Sequence, residues 1–387
     1  MAQVTPIPNL QMKIDIPTTA RVAMLTGPHQ IEPRDFPIPA LLAGELLVKV
    51  EGCGICGTDV HEYKRDPFKL IPVVLGHEGT GEIIALGTPG LKDFEGRALT
   101  VGDKIVTSVL VPADCPFTHR YPASSNLSDS LGVYGLFPDS ETHHLNGFFA
   151  THLIVRADST VFQVNGMSVN ERILIEPLAV TVHALQRAKT TGLLDFASTV
   201  LVQGCGPIGL MMIATLRAHG ISRIVAVDSV TQRLDMAIRM GASSALDVTT
   251  LGSAGIAEAV RAETAGFGAD FAFQCTGVPA AAASIYKFIR RGGGVCEVGF
   301  FMDNGECTIN PHEDLCKKEI TLVGSWVYTA QEYPIAIAMI RHMKSIGLPV
   351  EDLVTHTFPL EKINEAMAAN IALEGIKIAI TPSAQIS

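Results

Sequence analysis

From Phe196 to Leu216 the chain carries no charged side chain. Such a run is long enough to cross a bilayer, which takes about 20 apolar residues. Its interior argues otherwise. Thr199 and Val200 open it with β-branched side chains, and Gly204, Gly206, Pro207 and Gly209 interrupt it. A buried strand, a glycine turn and a helix account for that order, and a membrane span does not. The segment Met1 to Arg21 has prolines and scattered charges without a basic-then-apolar order, so no leader peptide is read there.

The neighbouring sequence repeats the strand-then-helix pattern. Val200–Gln203, Ile224–Val227, Phe271–Phe273, Val295–Val298 and Thr321–Gly324 read as short buried strands. Ile208–His219, Thr231–Met240, Ala254–Ala262 and Ala280–Ile289 read as helices between them. This alternation predicts a doubly wound parallel sheet with helices on both faces. Before residue 180 the pattern differs. Glu45–Val50 and Thr80–Leu86 are strand-like, and closely spaced glycines suggest tight turns and a partly open β-barrel. A helical stretch spans about Glu176 to Lys189. From about Tyr333 two helical segments and a strand, Lys377 to Ile380, fall outside the alternation and are expected to return to the first unit. The division expected is 1–178 with 330–387 around 179–329.

Composition narrows the function classes. The 387 residues are 47% apolar and 18% charged, which excludes a disordered chain. A formal net charge of −10 argues against a sequence-blind nucleic-acid binder, which needs a basic footprint. The 8 cysteines are too sparse for a disulfide scaffold, so free thiols and metal ligands in a reducing cytoplasm are expected.

Gly204-Cys-Gly-Pro-Ile-Gly209 follows a strand and opens a helix. Gly204 permits the tight turn, Gly206 lets a pyrophosphate approach the backbone, and Gly209 lets helix and strand pack closely. Pro207 and Ile208 lie at the helix N-terminus, which favours an anion. Asp228 ends the next strand about 20 residues on, where a carboxylate accepts from both ribose hydroxyls of NAD and repels the extra phosphate of NADP. Its plainer role is capping the next helix. Arg233 either flanks the adenine ribose or is a solvated charge. Cys275, Thr276, Val298, Gly299 and Phe300, at later strand ends, would border the far half of the cofactor.

A second constellation lies in the β-rich half. Cys56 and His77, about 20 residues apart in a turn-rich region, can converge on one metal, and sulfur with imidazole nitrogen favours zinc. Catalytic zinc keeps three protein ligands and an open position. The third is either Glu78 or Glu176, and the two can exchange. Asp59 is read as orienting His77, and Cys53 as packing.

The run Cys53-Gly-Ile-Cys-Gly-Thr-Asp-Val-His61, with Gly76-His77-Glu78-Gly79 and Gly204–Gly209, resembles the zinc-dependent medium-chain dehydrogenase/reductase family, in its threonine and polyol dehydrogenase branch. The resemblance runs from about Arg21 to Ile380. It implies a GroES-like catalytic domain, a Rossmann domain, and a homodimer or homotetramer. It implies Cys56, His77 and Glu78 as metal ligands, Glu176 as a further or near ligand, Thr58 and His61 as proton relay, and Asp228 and Arg233 as ribose contacts. Many relatives hold a second, structural zinc on four close cysteines. The corresponding lobe, about Val109 to Phe148, has only Cys115, and His119, His143 and His144 show no clear ligand spacing. One zinc per chain is therefore expected.

The expected reaction is hydride transfer between a secondary alcohol or polyol and NAD. Zinc would act as a Lewis acid on the alcohol oxygen, and Thr58 and His61 would carry the proton away. A zinc-free enone or quinone reductase of the same fold and a non-catalytic NAD-binding protein are the rivals. Cys56 and His77 count against both.

Overall fold

The computed structural model describes residues 16–382. Most of the segment read for a leader, residues 1–15, lies outside the described residues, as do 383–387. The uncharged run resolves into a strand, Thr199–Gln203, and a helix, Pro207–Ala218. Among the described residues no helix is long and apolar enough to cross a membrane.

Thr199–Gln203 lies inside a six-stranded sheet. The order is Ser244–Asp247, Arg223–Asp228, Thr199–Gln203, Ala269–Gln274, Ile289–Glu297, Thr321–Gly324. Every neighbouring pair is parallel. Successive strands step outward from Thr199–Gln203 in one direction and then in the other, so strand order reverses beside it. Ligands of open α/β sheets bind at such a reversal, outside the carboxyl ends of the strands. The strands read as unbroken apolar runs because both faces are covered. Val200, Val202, Phe271 and Phe273 pack into one core, and Leu201, Val225, Ala272 and Val295 into another on the opposite face.

The other half is built on a seven-stranded sheet. Leu46–Gly54 is its hub, pairing antiparallel with Glu78–Leu86, His152–Val155 and Lys377–Thr381. Lys377–Thr381 also runs parallel to Val354–Pro359. A three-stranded sheet of Gln30–Pro37, Thr19–Gly27 and Val73–Val74 stands apart. The helix Ile175–Lys189 packs against both halves, contacting Glu78–Leu86, Ile289–Glu297 and Thr321–Gly324. Its first turn, Ile175 to Leu178, is wholly buried.

Two sequence expectations shift. The helix read over Ala280–Ile289 is only Pro279–Ser284 followed by a 3-10 turn. Its alanines favour helix, but Ile289 is taken into the sheet opposite Ala269, and tertiary pairing wins over propensity. Ser244–Asp247 is an unread strand. It is a half-buried edge and lacks the apolar signature of the central strands.

Candidate metal centre and dinucleotide site

Cys56 and His77 come from separate segments that meet at one buried carboxylate. Cys56 caps the helix Gly57–Arg65, and Asp59 stands in its first turn. Asp59 is fully buried. Its Oδ2 accepts from Cys56 N at 2.8 Å, and its Oδ1 accepts from Gly76 N at 3.1 Å. One side chain thus ties together the two loops that carry Cys56 and His77. Its Oδ1 also lies 3.4 Å from His77 Nδ1, but without hydrogen-bond alignment, so that buried nitrogen has no partner.

Glu78 opens the strand Glu78–Leu86. The ligand atoms of Cys56, His77 and Glu78 all lie within 4.8 Å of one another. Among the described residues this is the one such group of histidine, cysteine and carboxylate side chains. Lys377 Nζ donates to both Glu78 oxygens at 2.6 Å and to Ile55 O at 3.1 Å. Burial pulls the Lys377 ammonium down, but the charge and hydrogen bond of Glu78 together with the charges of Cys56 and Glu176 hold Lys377 above its ordinary value. A carboxylate has about four lone-pair sites, so Lys377 does not exhaust Glu78.

The donor set fits a zinc ion. It offers one sulfur, one imidazole and one carboxylate within 4.8 Å of one another. Glu176 faces the same cavity, but its carboxylate accepts from Tyr328 Oη instead of joining the group. Burial pushes Glu176 up to about 7, with Glu78 adding to the rise. Cys53, three residues before Cys56, is buried and its thiol is raised by that burial, which suits a packing role.

The glycine turn shows why each glycine is there. Gly204 adopts φ +93°, and a Cβ there would strike Thr276 Cγ2 at 2.4 Å. A Cβ on Gly209 would lie 1.7 Å from Gly204 O, so only glycine lets the helix start this close to the strand. A Cβ on Gly206 would meet nothing within 4 Å. That open side lies at the N-cap of Pro207–Ala218, with proline in the first turn, as an approaching anion requires. Asp228 is held by three amides. Its Oδ2 accepts from Cys205 N at 2.6 Å, and its Oδ1 accepts from Ser229 N and Val230 N at 2.8 and 2.9 Å. The turn role and a ligand role are thus compatible, because the carboxylate is braced against the glycine loop. Arg233 is half-buried and has no ion pair among the described residues.

A cavity of about 1210 Å³ runs from the ligand group to Ile208 and the parallel-strand ends, with Gly204, Gly206 and Gly209 off its wall. Cys56, His77, Glu78 and Glu176 line one end, with Thr58 and His61 beside them. Ile208, Cys275, Val298 and Gly299 line the side formed by the parallel strands. Phe301 reaches the cavity, whereas Phe300, Thr276, Pro207, Asp228 and Arg233 are not on its wall. Trp326 is on the wall, and Tyr63, Lys64, Arg65 and Phe117 are not.

The lobe with the single Cys115 forms much of the wall, from Asn126 to Pro138. Its histidines are engaged elsewhere: His119 with Asp114, His144 with Asp139, and His143 with Thr142. Sequence reasoning missed this wall, and it missed Lys377. A lysine inside the apolar strand run Ile376–Ile380 was the available signal for Lys377.

Glu62 supports the cavity mouth from behind. It is fully buried; Oε1 accepts from Phe68 N at 3.2 Å, and Oε2 has no partner. Burial pushes its carboxyl up to about 7, and Asp66 adds to the rise. The fold therefore binds this proton more tightly than the unfolded chain does. The contribution is full below about 4.5 and is lost as pH rises through about 7. Glu62→Gln is expected to stabilise the protein on the alkaline side by about 1–3 kcal/mol. Denaturant unfolding on either side of that pH measures it, and an unchanged pH slope would count against the assignment.

Comparison with known proteins agrees with this geometry. Residues 42–166 match the family model described as alcohol dehydrogenase GroES-like domain, and residues 207–342 match the one described as zinc-binding dehydrogenase. The chain is 30% identical over 377 residues to a sorbitol dehydrogenase of Bacillus subtilis, covering 95% of this chain and 99% of that protein. It is 27% identical to an erythritol/L-threitol dehydrogenase of Mycolicibacterium smegmatis, covering 96% of this chain and all of the other (100%). Among solved structures, an alcohol dehydrogenase from Thermotoga maritima superposes with a TM-score of 0.88 at 25% identity, over 94% of this chain and 100% of that one. A 2R,3R-butanediol dehydrogenase from Bacillus subtilis gives 0.77 at 27%, over the same 94% and 100%.

Proposed function

This chain belongs to the zinc-dependent medium-chain dehydrogenase/reductase family, in its polyol dehydrogenase-like branch, and we propose that it oxidises a secondary alcohol or polyol with NAD as hydride acceptor. One observation carries the reading. The Cys56, His77 and Glu78 ligand group and the strand ends at Cys275 and Val298 open on one cavity. Residues 1–178 with 330–387 would form the catalytic unit and 179–329 the cofactor unit. Pairing of Lys377–Thr381 with Leu46–Gly54 supports that division.

When bound, zinc supplies Lewis-acid polarisation of the substrate oxygen. Cys56, His77 and Glu78 would hold it, with Glu176 available at the same end of the cavity. Asp59 fixes the spacing of the two ligand loops, and Lys377 orients Glu78. Gly204, Gly206 and Gly209 would leave the pyrophosphate its space, with Pro207 and Ile208 starting the helix beneath it. Cys275, Thr276, Val298, Gly299 and Phe300 would border the nicotinamide half. The braced Asp228 carboxylate supports NAD over NADP, with Arg233 beside the ribose.

Thr58 and His61 would remove the hydroxyl proton. Thr58 is buried, and its Oγ1 lies 3.7 Å from Cys56 Sγ. Arg65 Nη2 donates to His61 Nδ1 at 3.0 Å, so the neutral ring carries its proton on Nε2. Burial, then the charges of Arg65 and Lys64, hold His61 below its ordinary value. The ring thus stays neutral further into acid than a free imidazole, and it takes up a proton at Nδ1 when Arg65 releases that nitrogen. Removing it is expected to slow oxidation about tenfold or more, most strongly at low pH. A His61→Ala pH–rate profile identical in shape to the parent's would remove His61 from the relay.

The function itself is tested by following NADH formation from vicinal diols, sugar alcohols, hydroxy acids and simple secondary alcohols, with zinc measured on the same sample. Metal-dependent turnover of a secondary alcohol or polyol is expected. Reduction of enones without metal, or NAD binding without turnover, would favour a rival reading.

A further inference from the structure

The cavity wall beside the ends of the last two parallel strands is mostly apolar. Three aromatic side chains from separate segments meet there. Phe68 follows the helix Gly57–Arg65, Phe301 follows the strand Ile289–Glu297, and Trp326 follows the strand Thr321–Gly324. Phe301 and Trp326 are stacked, with centroids 4.9 Å apart and planes 19° apart. Phe68 meets Phe301 edge-on at 6.5 Å. Phe68 and Trp326 are each 43% exposed, so apolar ring surface is left uncovered at the mouth of the cavity.

The surroundings hold this surface in place. Asn126 Nδ2, from the lobe, donates to Trp326 O at 2.7 Å. Val327 adopts φ +52°, a left-handed conformation that β-branched residues rarely take. Leu110, Leu136 and Phe137 continue the wall without polar atoms on their side chains.

Polar groups on the wall away from the metal end are few and partly engaged. Asn126 Nδ2 is spent on Trp326 O, Ser128 Oγ contacts Cys115 Sγ and accepts from Ser130 N, and Asn304 stands beside Gly277. Ser325 Oγ is buried without a partner and offers one polar contact. Asp129 and Ser130 stand exposed at the rim. An open-chain polyol would bury several hydroxyls against this wall. Each hydroxyl left unpaired weakens binding roughly 5- to 100-fold. A ring would lose nothing there and would gain aromatic contact.

Resting on the dehydrogenase reading above, we propose that the substrate is a secondary alcohol whose carbinol carries an aromatic or similarly ring-sized apolar group, seated against Phe68, Phe301 and Trp326. The carbinol carbon loses hydride to the nicotinamide of NAD and the hydroxyl loses a proton. The products are an aryl or cycloalkyl ketone, NADH and one proton. The polyol relatives share the chemistry at the metal end but not, on this account, the substrate body.

The test compares kcat/KM for 1-phenylethanol, 2-butanol and sorbitol with the zinc-loaded enzyme and NAD. A preference for 1-phenylethanol over sorbitol of about 100-fold or more is expected. Phe68→Ala and Trp326→Ala remove side chains that are partly exposed, so the fold should survive; thermal melting checks this. Each variant is expected to lower the ratio of kcat/KM for 1-phenylethanol over 2-butanol about tenfold, mainly through KM. Sorbitol preferred over 1-phenylethanol, or an unchanged ratio in both variants, overturns the proposal while leaving the dehydrogenase reading intact. Turnover of none of the three, or of any other alcohol, overturns that reading and this one together.

Discussion

Replacing Cys56 by alanine is expected to empty the metal site and to cut alcohol-dependent NADH formation on the order of a thousandfold or more. The sulfur is the one soft donor in a group otherwise made of an imidazole and a carboxylate, all within 4.8 Å. Without it two protein ligands remain, fewer than catalytic zinc keeps. The fold should tolerate the change. Cys56 N stays bonded to Asp59 Oδ2 at 2.8 Å, so the loop keeps its anchor. Zinc content and turnover of the purified variant, with circular dichroism as a check on folding, measure the effect. Full turnover by a metal-free Cys56→Ala protein would contradict the assignment.

The second large effect is expected at Asp228. Asp228→Asn keeps an acceptor for the amides of Ser229 and Val230 and removes the charge. Asp228→Gly removes both. The loss of charge-assisted bonds to the ribose is expected to cost about 1.5–3 kcal/mol, roughly 10- to 150-fold in NAD affinity. The same change lifts the repulsion of a 2′-phosphate, so NADP should gain relative to NAD, and half-buried Arg233, which has no ion pair among the described residues, stands close enough in sequence to assist. The glycine variant should lose more than the asparagine variant: both take the acceptor from Cys205 N, but only glycine also takes it from Ser229 N and Val230 N. Cofactor titrations of the three proteins give the ordering. An unchanged ratio of NADP to NAD affinity would show that Asp228 serves the turn alone.

The parts of this molecule readable from sequence are those where local chemistry allows few alternatives. Only glycine fits where a Cβ would meet Gly204 O at 1.7 Å, so the glycine turn announces itself. The central strands are apolar on both faces because both faces are covered, and they too are legible. Sequence left the third metal ligand open between Glu78 and Glu176. Carboxylate type carries no direction; the contacts do, turning Glu78 toward Cys56 and His77 and Glu176 toward Tyr328. Lys377 reaches Glu78 from 299 residues away, and no spacing rule links them. The aromatic wall is hidden for the same reason. Phe68, Phe301 and Trp326 meet only because two sheets place their loops around one cavity. The lobe around Cys115 reads as a gap where a second zinc is missing, yet in space it supplies much of the cavity wall.

Zinc stoichiometry measured beside activity, before and after chelation and on return of the metal, tests the central claim most directly. One zinc per chain is expected, with NADH formation falling as zinc is withdrawn and recovering in proportion as it is restored. Undiminished alcohol oxidation by zinc-free protein would contradict it.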